Sequence, residues 1–187
     1  MEGIAEEELA RLLKERSIAA WAFLFERHFD RVYRYALGRL FSREAAEDVA
    51  AATFDRALAM IDSYSYRGRP ALAWLYGIAG NVVKESRRND IRQQGAGVLR
   101  GLFPHRNGHR SDYVIPLIQV DSADAAVSRI DLTRAIGSLT EMQREVVLLR
   151  YFAGLSAGET GQVIGRPETA VYALQARALA SLRRQLI

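Results

Sequence analysis

Apolar residues recur every three or four positions along most of the chain, and this spacing constrains the fold more than any other feature. The first such stripe consists of Trp21, Leu24, Phe25, Phe29, Val32, Tyr33 and Ala36. An α-helix with one buried face has this period, whereas a strand alternates at every second residue. The pattern predicts helix almost throughout from Glu6 to about Ile61, and again from about Ala71 to Arg88. It returns at about Ala123 in four short segments, so we predict an all-α fold.

The segment between the two helical parts, residues 89–122, is rich in Gly, Arg and turn formers and lacks sustained periodicity. About 30 such residues are more than a compact domain normally holds as an internal loop. The apolar pieces GVLRGLF and YVIPLIQV indicate that this segment docks on a surface. We therefore predict two small helical domains, residues 1–90 and 123–187, joined by a flexible basic linker at residues 91–122.

Positive charge is concentrated in the middle of the chain. Residues 63–111 contain nine Lys and Arg but only two Asp and Glu, whereas the preceding part is mildly acidic and the following part is neutral. A basic segment of this kind indicates contact with a polyanion. A solvated basic linker is the alternative that charge alone leaves open.

Composition excludes several classes of protein. An apolar fraction of 49% suffices for a folded core, and the absence of Cys excludes disulfides and thiolate metal sites. The acidic N-terminal segment is unlike a signal peptide, and no apolar run reaches the roughly 20 residues that span a bilayer. The three His residues, His28, His105 and His109, are too scattered for a metal site. Because no nucleophile–base pair or phosphate-binding Gly loop occurs either, we expect a cytoplasmic, non-enzymatic protein without cofactor, small-molecule substrate or membrane insertion.

A candidate helix-turn-helix lies in the last third of the chain. Ser156 followed by Glu159 forms a capping box that starts its first helix. Gly161 allows two helices to approach, Gly165 follows where the turn is made, and Val171 is spaced as the core residue of the second helix. An ordinary helical hairpin is the alternative.

If this motif binds DNA, the beginning of its second helix enters the major groove. Pro167 suits the first turn of that helix. The residues expected near base edges are Arg166, Glu168, Thr169, Ala170 and Tyr172, and those expected at phosphates are Arg177, Arg183 and Arg184.

These C-terminal residues resemble region 4 of the sigma-70 family of RNA polymerase sigma factors, in the extracytoplasmic-function (ECF) group. The family pattern contains Q-R-E-V, L-R-Y and G-L-S-x-x-E followed by Gly. The matching residues are Leu139, Gln143, Arg144, Glu145, Val146, Leu149, Arg150, Tyr151, Gly154, Leu155, Ser156, Glu159 and Gly165.

The N-terminal half independently resembles region 2 of the same group. Its matches to the A-E-D, T-F-x-R-A, F-R-G and W-L-Y-x-I-A-x-N patterns are Ala46, Glu47, Asp48, Thr53, Phe54, Arg56, Ala57, Tyr66, Arg67, Gly68, Trp74, Leu75, Tyr76, Ile78, Ala79 and Asn81, followed by the basic pair Arg87 and Arg88. The two matching halves cover most of the chain. The resemblance implies a transcription initiation factor whose partners are core RNA polymerase, promoter DNA and an anti-sigma factor.

In this family the helix corresponding to residues 45–58 docks on the coiled-coil clamp of the largest polymerase subunit. The resemblance assigns this contact to Glu47, Asp48, Thr53, Phe54 and Arg56. Ala51 and Ala52 stand where the family commonly has Gln and Glu. The polymerase interface is therefore expected to be weaker or differently balanced.

Family resemblance assigns the minus-10 element to the turn at residues 66–71 and to the helix that follows. The implied DNA-binding residues are Tyr66, Arg67, Gly68, Trp74, Asn81, Lys84, Arg87 and Arg88. Aromatic stacking and a positive groove are what hold single-stranded DNA. For Trp74 and Tyr76, a place in the core is an equal alternative.

The minus-35 element is assigned to Arg166, Glu168, Thr169, Ala170, Tyr172 and Arg177. Tyr172 and Leu174 stand where the family often has cations. Either the minus-35 contact is weak or the register of this helix differs by one residue. A helix-turn-helix regulator without polymerase docking, and a degenerate sigma-like interaction module, remain as alternative functions.

Overall fold

A computed structural model of the protein describes residues 3–66, 68, 70–96 and 132–186, with the backbone alone for residues 90–96. The described residues are helical, with turns and no strand, which confirms the all-α prediction. Residues 3–96 are called the N-terminal unit below, and residues 132–186 the C-terminal unit. Arg67, Arg69 and the predicted linker from residue 97 onward lie outside the described residues.

Four α-helices form the N-terminal unit: α1 (Glu6–Lys14), α2 (Ile18–Leu40), α3 (Arg43–Ala59) and α4 (Ala71–Ala96). A short 3₁₀-helix, Ile61–Ser63, follows α3. Side-chain oxygens of Ser17 and Ser42 accept from the backbone at the starts of α2 and α3, as good N-caps do. The predicted cap at Ser42 is thus confirmed.

The N-terminus of helix α4 is capped by a side chain of α1. The backbone N–H of Ala71 donates to the Glu6 carboxylate of α1 at 3.1 Å. At its other end, α4 continues to Ala96, eight residues beyond the predicted end at Arg88. Residues 91–96, which we expected to belong to the linker, are therefore helical.

The C-terminal unit contains α5 (residues 132–138), α6 (Glu141–Val147), α7 (Ala157–Ile164) and α8 (Glu168–Leu186). A π-helical stretch, Leu148–Phe152, prolongs α6. Helices α6 and α7 each start with a capping box, formed by Thr140 with Gln143 and by Ser156 with Glu159. These helices all lie within residues 132–186; residues 123–131, where the predicted helical pattern begins, lie outside the described residues.

One hydrophobic core extends through both units. In the N-terminal unit it contains residues such as Leu24, Val32, Ala46, Leu75 and Val83, and in the C-terminal unit Ile136, Leu139, Leu148 and Leu149. A second, smaller cluster of Val146, Ala157 and Val171 fills the interior of the helix-turn-helix. The sequence predicts two helical domains but not how they lie relative to each other; in the structure the two units pack directly against each other.

The buried face of α2 differs from the predicted stripe. Leu24, Val32 and Ala36 are fully buried as expected, but Phe25 is exposed, and His28 and Tyr35 are buried instead. The ring of Tyr35 packs edge-to-face against Tyr76 of α4, and its hydroxyl bonds to the C-terminal unit. The local pattern of α2 indicates neither contact.

Candidate nucleic-acid interface

Two aromatic residues near the start of α4, Tyr66 and Trp74, differ in their exposure to solvent. The Trp74 ring stacks on Tyr64, with centroids 4.6 Å apart, and only 9% of Trp74 is exposed. Tyr66 is 37% exposed, and Gly68 is exposed with a φ of +70°. Of the two alternatives for Trp74, burial favours the core. Tyr66 is therefore the aromatic residue of this turn that a base can reach.

The polar face of α4 brings together three of the predicted DNA ligands. Asn81, Lys84 and Arg88 follow one another at spacings of three and four, so they lie on the same side of the helix, and all three are exposed. They line a groove of about 480 Å³ between α4 and the end of α3, which Met60 and Ile78 also line. This groove offers an amide and two cations beside an apolar wall.

Arg56, which was predicted to contact polymerase, makes an ion pair within the N-terminal unit. Its guanidinium donates to the Glu85 carboxylate at 2.5 Å, joining α3 to α4. Both side chains are about half exposed, and the hydrogen bond from Arg56 lowers the pKa of Glu85. An exposed pair of this kind contributes little to stability, so Arg56 can exchange Glu85 for another partner.

The predicted polymerase-contact residues of α3 lie on two different faces. Glu47 and Asp48 are exposed, together with Ala51. Thr53 is fully buried and donates to the Val49 carbonyl, and Phe54 is 7% exposed. Both side chains are thus turned into the core, and their contact with polymerase remains a prediction.

Phe54 has an aromatic neighbour that does reach the surface. Its ring lies 5.0 Å from that of Phe25 and 6.0 Å from that of Phe29, measured between centroids. Phe25 of α2 is the exposed member of this group. Because the sequence pattern places Phe25 in the buried stripe of α2, it does not predict this surface residue.

The helix-turn-helix has the geometry that its glycine spacing predicted. A Cβ atom on Gly161 would lie 2.5 Å from the carbonyl oxygen of Arg166, so α7 and the turn can approach only because this residue has no side chain. Gly165 ends α7 in the left-handed conformation, with φ +67°. Val171 is fully buried. The capping box, the close approach, the turn and the core residue are all confirmed.

The exposed face of α8 contains most of the residues predicted to bind duplex DNA. Arg166, Glu168, Thr169, Tyr172 and Arg177 are exposed, and Ala170 is half-buried. The Tyr172 hydroxyl donates to Glu168 at 3.1 Å, one turn away. This face therefore offers a tyrosine and a threonine flanked by two arginines.

The register of α8 follows from its opposite, buried face. Val171, Ala178 and Leu182 are buried, and Leu174 packs beside them on the small cluster. Leu174 thus fills the interior of the motif, whereas Tyr172 points outward. This supports the register in which Val171 is the core residue.

Comparison with known proteins agrees with both halves of this geometry. Residues 24–93 match the family model of sigma-70 region 2, and residues 135–184 match that of sigma-70 region 4. The ECF RNA polymerase sigma factor BldN of Streptomyces coelicolor is 34% identical over 97% of this chain and 68% of its own length. The chain belongs to the ECF sigma factors. It is accordingly a transcription initiation factor.

Solved structures share the fold of this sigma factor. CnrH, in complex with the cytosolic domain of CnrY, superposes with a TM-score of 0.71 at 23% identity, over 98% of this chain and 97% of that one. RpoE of Bartonella quintana, in complex with the anti-sigma factor NepR, superposes with a TM-score of 0.65 at 21% identity, over 90% and 98%. The similarity to both covers the N-terminal and the C-terminal unit.

A polar cluster that the sequence pattern does not predict lies where the two units of this sigma factor meet. Arg39 of α2 is 2% exposed and forms ion pairs with Glu145 and, at 2.8 Å, with Glu141 of α6. Tyr35 donates its hydroxyl to Glu145. Burial, and then the Glu145 charge, raise the pKa of Tyr35, so it remains a protonated donor. The partners of Arg39 and Tyr35 lie about 100 residues further along the chain, so no local pattern in the sequence predicts these contacts.

Arg87 belongs to this cluster as well as to the predicted minus-10 set. It donates to Glu141 at 3.0 Å and to the Arg39 carbonyl oxygen at 2.7 Å. Arg87 is thus occupied by contacts between and within the units, whereas Asn81, Lys84 and Arg88 face the groove. Asn81, Lys84 and Arg88 also line the cleft between α4 and α6, so the basic end of α4 adjoins both the groove and the C-terminal unit.

The part of the chain that the structure describes gives no indication of a metal site or of a membrane span. No group of three or more His, Cys, Asp or Glu residues within it could hold a metal ion. Within the same residues, no helix is both long and apolar enough to cross a membrane.

Proposed function

We propose that this sigma factor binds core RNA polymerase through α3, the minus-10 element through α4 and the turn before it, and the minus-35 element through α8. It acts by binding and not by catalysis, and we place it in the cytoplasm, where transcription occurs. The observation that carries the proposal is the alignment of Asn81, Lys84 and Arg88 on one exposed face of α4, beside a groove.

For the minus-10 element, we assign base contact to Tyr66 and backbone contact to Asn81, Lys84, Arg87 and Arg88. An exposed aromatic ring and a positive groove are the two features with which proteins hold single-stranded DNA. Here the turn provides the ring and α4 provides the groove. Arg67 and Gly68 complete the turn in this assignment, and Trp74 supports it from beneath through its stack on Tyr64.

For polymerase, we assign contact to Glu47 and Asp48 on the exposed face of α3, with Arg56 at its end. Ala51, on the same face, has no polar side chain to contribute. The contact with polymerase therefore depends mainly on the carboxylates of Glu47 and Asp48. Thr53 and Phe54 support this surface from the core. Charge reversal by Asp48→Lys should weaken binding to core polymerase, whereas Glu7→Lys on α1 should not.

For the minus-35 element, we assign Arg166, Glu168, Thr169, Ala170, Tyr172 and Arg177. Phosphate contacts by Arg166 and Arg177 position the helix without specifying a sequence, whereas Thr169 and Tyr172 lie where base edges are reached. Because two family cations are absent, we expect a weaker dependence of duplex binding on salt than a more basic helix would give.

An anti-sigma factor is the regulatory partner that we propose, since both solved structures described above are complexes, one of them with a protein named as an anti-sigma factor. A purified candidate should bind this chain and abolish its transcription activity. Binding without loss of activity would contradict this assignment.

The decisive experiment is run-off transcription with purified core polymerase on a library of duplex promoters. Promoter-specific initiation is expected. Binding to core without initiation on any template would favour a sigma-like module, and specific duplex binding without core would favour a helix-turn-helix regulator. Either result would contradict the proposal.

The basic face of α4 can be tested with the two lysines of the chain. Lys84→Ala should weaken binding of a single-stranded minus-10 oligonucleotide and lower the slope of log affinity against log salt by about 0.7, the value for one lost phosphate contact. Lys14→Ala, on exposed α1, is the matched control and should leave the slope unchanged. Equal slopes for both variants would remove the α4 face from the DNA interface.

The domain boundaries at residues 90 and 122 remain a prediction. Because α4 continues to Ala96, we expect the first protease-sensitive bonds after that residue. Limited proteolysis should give two fragments, cut between residues 97 and 122, each matching one family model.

A further inference from the structure

The two units of this sigma factor contact each other through groups that fit closely. Arg31 of α2 donates to the carbonyl oxygen of Ala153 at 2.5 Å, and a Cβ on Gly154 would lie 3.4 Å from the same guanidinium. Gly38 of α2 has no side chain where Leu148 packs onto it. Such fitted contacts indicate a defined closed arrangement of the two units.

The C-terminal unit also covers one side of the basic end of α4. A cleft of about 490 Å³ separates them, with Asn81, Lys84, Arg87 and Arg88 on the α4 side and Glu141 and Glu145 on the α6 side. The cations assigned to DNA therefore face carboxylates of the same chain. A nucleic-acid backbone placed along this side of α4 would meet α6.

Arg87 both contacts the C-terminal unit and belongs to the residues of α4 assigned to promoter DNA. Its guanidinium pairs with the Glu141 carboxylate, and 30% and 55% of the two side chains are exposed. A partly hydrated pair of this kind contributes little to stability and exchanges readily with another anion. Glu141 also pairs with the buried Arg39, so loss of Arg87 leaves it a second partner.

We propose that Glu141 favours the closed arrangement of the free protein by occupying the guanidinium of Arg87 in place of a DNA phosphate, so that opening of the two units and binding of single-stranded promoter DNA are coupled. This rests on the assignment of Arg87 to promoter DNA made above. The carboxylate and the phosphate are both anions that accept from the arginine fork, and they compete for the same donors.

The buried part of the contact is compatible with opening. Arg39 and Glu145 lose hydration when the units close, and this loss offsets much of their mutual attraction. On opening, both regain water. Because the contact between the units combines charged and apolar groups, separating it costs less free energy than separating a wholly apolar contact of the same size.

The test measures the separation of the units in the full-length chain. The sequence has no Cys, so Ala59→Cys on α3 and Ala180→Cys on α8, both exposed, allow a fluorescent dye pair to be attached. Energy transfer is recorded with and without a single-stranded minus-10 oligonucleotide. The oligonucleotide should lower the transfer efficiency of the labelled protein.

Glu141→Gln is the decisive variant, since it removes the charge and keeps the shape of the side chain. Because it releases Arg39 as well as Arg87, it should lower transfer in the absence of DNA and tighten oligonucleotide binding at least about twofold, the lower end for release of one exposed ion pair. Glu7→Gln, which removes an exposed carboxylate of α1, is the control. If the two variants have equal transfer and equal affinity, the proposal is wrong.

A second variant separates this proposal from the assignment on which it rests. Arg87→Ala should also lower transfer, but it should weaken oligonucleotide binding and not tighten it. Unchanged binding by Arg87→Ala would overturn the DNA assignment and the competition with it. Failure of the wild-type protein in run-off transcription would instead contradict the proposed function, because energy transfer does not depend on polymerase.

Discussion

A Cβ atom added to Gly38 of α2 would lie 2.6 Å from Cδ2 of Leu148 in the π-helical stretch after α6. Leu148 is fully buried, so its side chain has little room to move away. Gly38 lies inside α2, where a glycine lowers helix stability. It lies at the place where the C-terminal unit packs onto the N-terminal unit. A glycine at position 38 thus leaves the space that Leu148 occupies when the two units pack together.

Gly38→Ala should weaken the contact between the units while leaving the N-terminal unit folded. Overpacking against Leu148 costs about 1–3 kcal/mol, and alanine returns up to about 1 kcal/mol of helix propensity to α2. The dye pair on α3 and α8 should report lower energy transfer than in the parent protein. Far-ultraviolet circular dichroism should be unchanged.

Gly80→Ala is the matched control for the Gly38 variant. It makes the same chemical change in the middle of α4, but the added Cβ would lie at ordinary contact distances, 3.4 Å from the Tyr35 hydroxyl and 3.8 Å from the Glu145 carboxylate. Energy transfer should therefore stay at the parent value. Equal losses in both variants would show that the close contact with Leu148 does not control the arrangement.

The helix-turn-helix offers a second pair of glycines for a stability test. Gly161→Ala should destabilise the C-terminal unit by about 1–3 kcal/mol, because the Arg166 carbonyl at 2.5 Å is backbone and cannot rotate away. Gly158→Ala, in the same helix α7, would meet nothing closer than 3.9 Å and should not destabilise. Urea unfolding of both variants measures the difference.

Local signals in the sequence sufficed for the elements of the fold. The caps at Ser42 and Ser156, the turn at Gly165 and the buried Val171 each depend on residues within a few positions, so a pattern can predict them. The exposed residues of α4 and α8 follow from the same helical period. These are the parts of the candidate site that could be predicted from the sequence.

Contacts between distant residues could not be predicted in this way. Arg39, Glu145 and Tyr35 have ordinary helical neighbours, and only the approach of the two units makes them a buried cluster. The same approach takes Arg87 into a pair with Glu141. Phe54 and Thr53 matched the family motif, yet a motif match does not tell whether a side chain contacts a partner or supports one that does.

The aromatic residues before α4 and at its start should differ in what their loss affects. Tyr66→Ala should leave the free energy of unfolding within about 0.5 kcal/mol of the parent, since the side chain is exposed. It should weaken open-complex formation by roughly 1–3 kcal/mol, the contribution of one base stack. Permanganate footprinting of the melted region measures this loss.

Trp74→Ala should have the opposite profile. Removal of a buried aromatic side chain costs about 3–5 kcal/mol, and here it also removes the stack on Tyr64. The variant should unfold at much lower urea concentration. Unchanged stability together with a loss of promoter melting would return Trp74 to the DNA surface.

His28 should make the protein less stable as the pH falls through the mildly acidic range. Burial, and then the Arg31 and Arg27 charges, lower its pKa from 6.5 to about 4, and its Nδ1 has no hydrogen-bond partner among the described residues. Between these two pKa values the unfolded chain binds a proton that the folded chain does not, so stability rises with pH there. The loss from pH 7 to pH 5 should be about 2 kcal/mol.

His28→Leu removes this titration and keeps the position buried and apolar. Its free energy of unfolding in urea should therefore fall less than that of the parent between pH 7 and pH 5, while carboxylates contribute equally to both proteins. The difference between the two curves isolates His28. Parallel curves over this range would mean that the imidazole is accessible to water in the folded protein and that its pKa is close to the ordinary value.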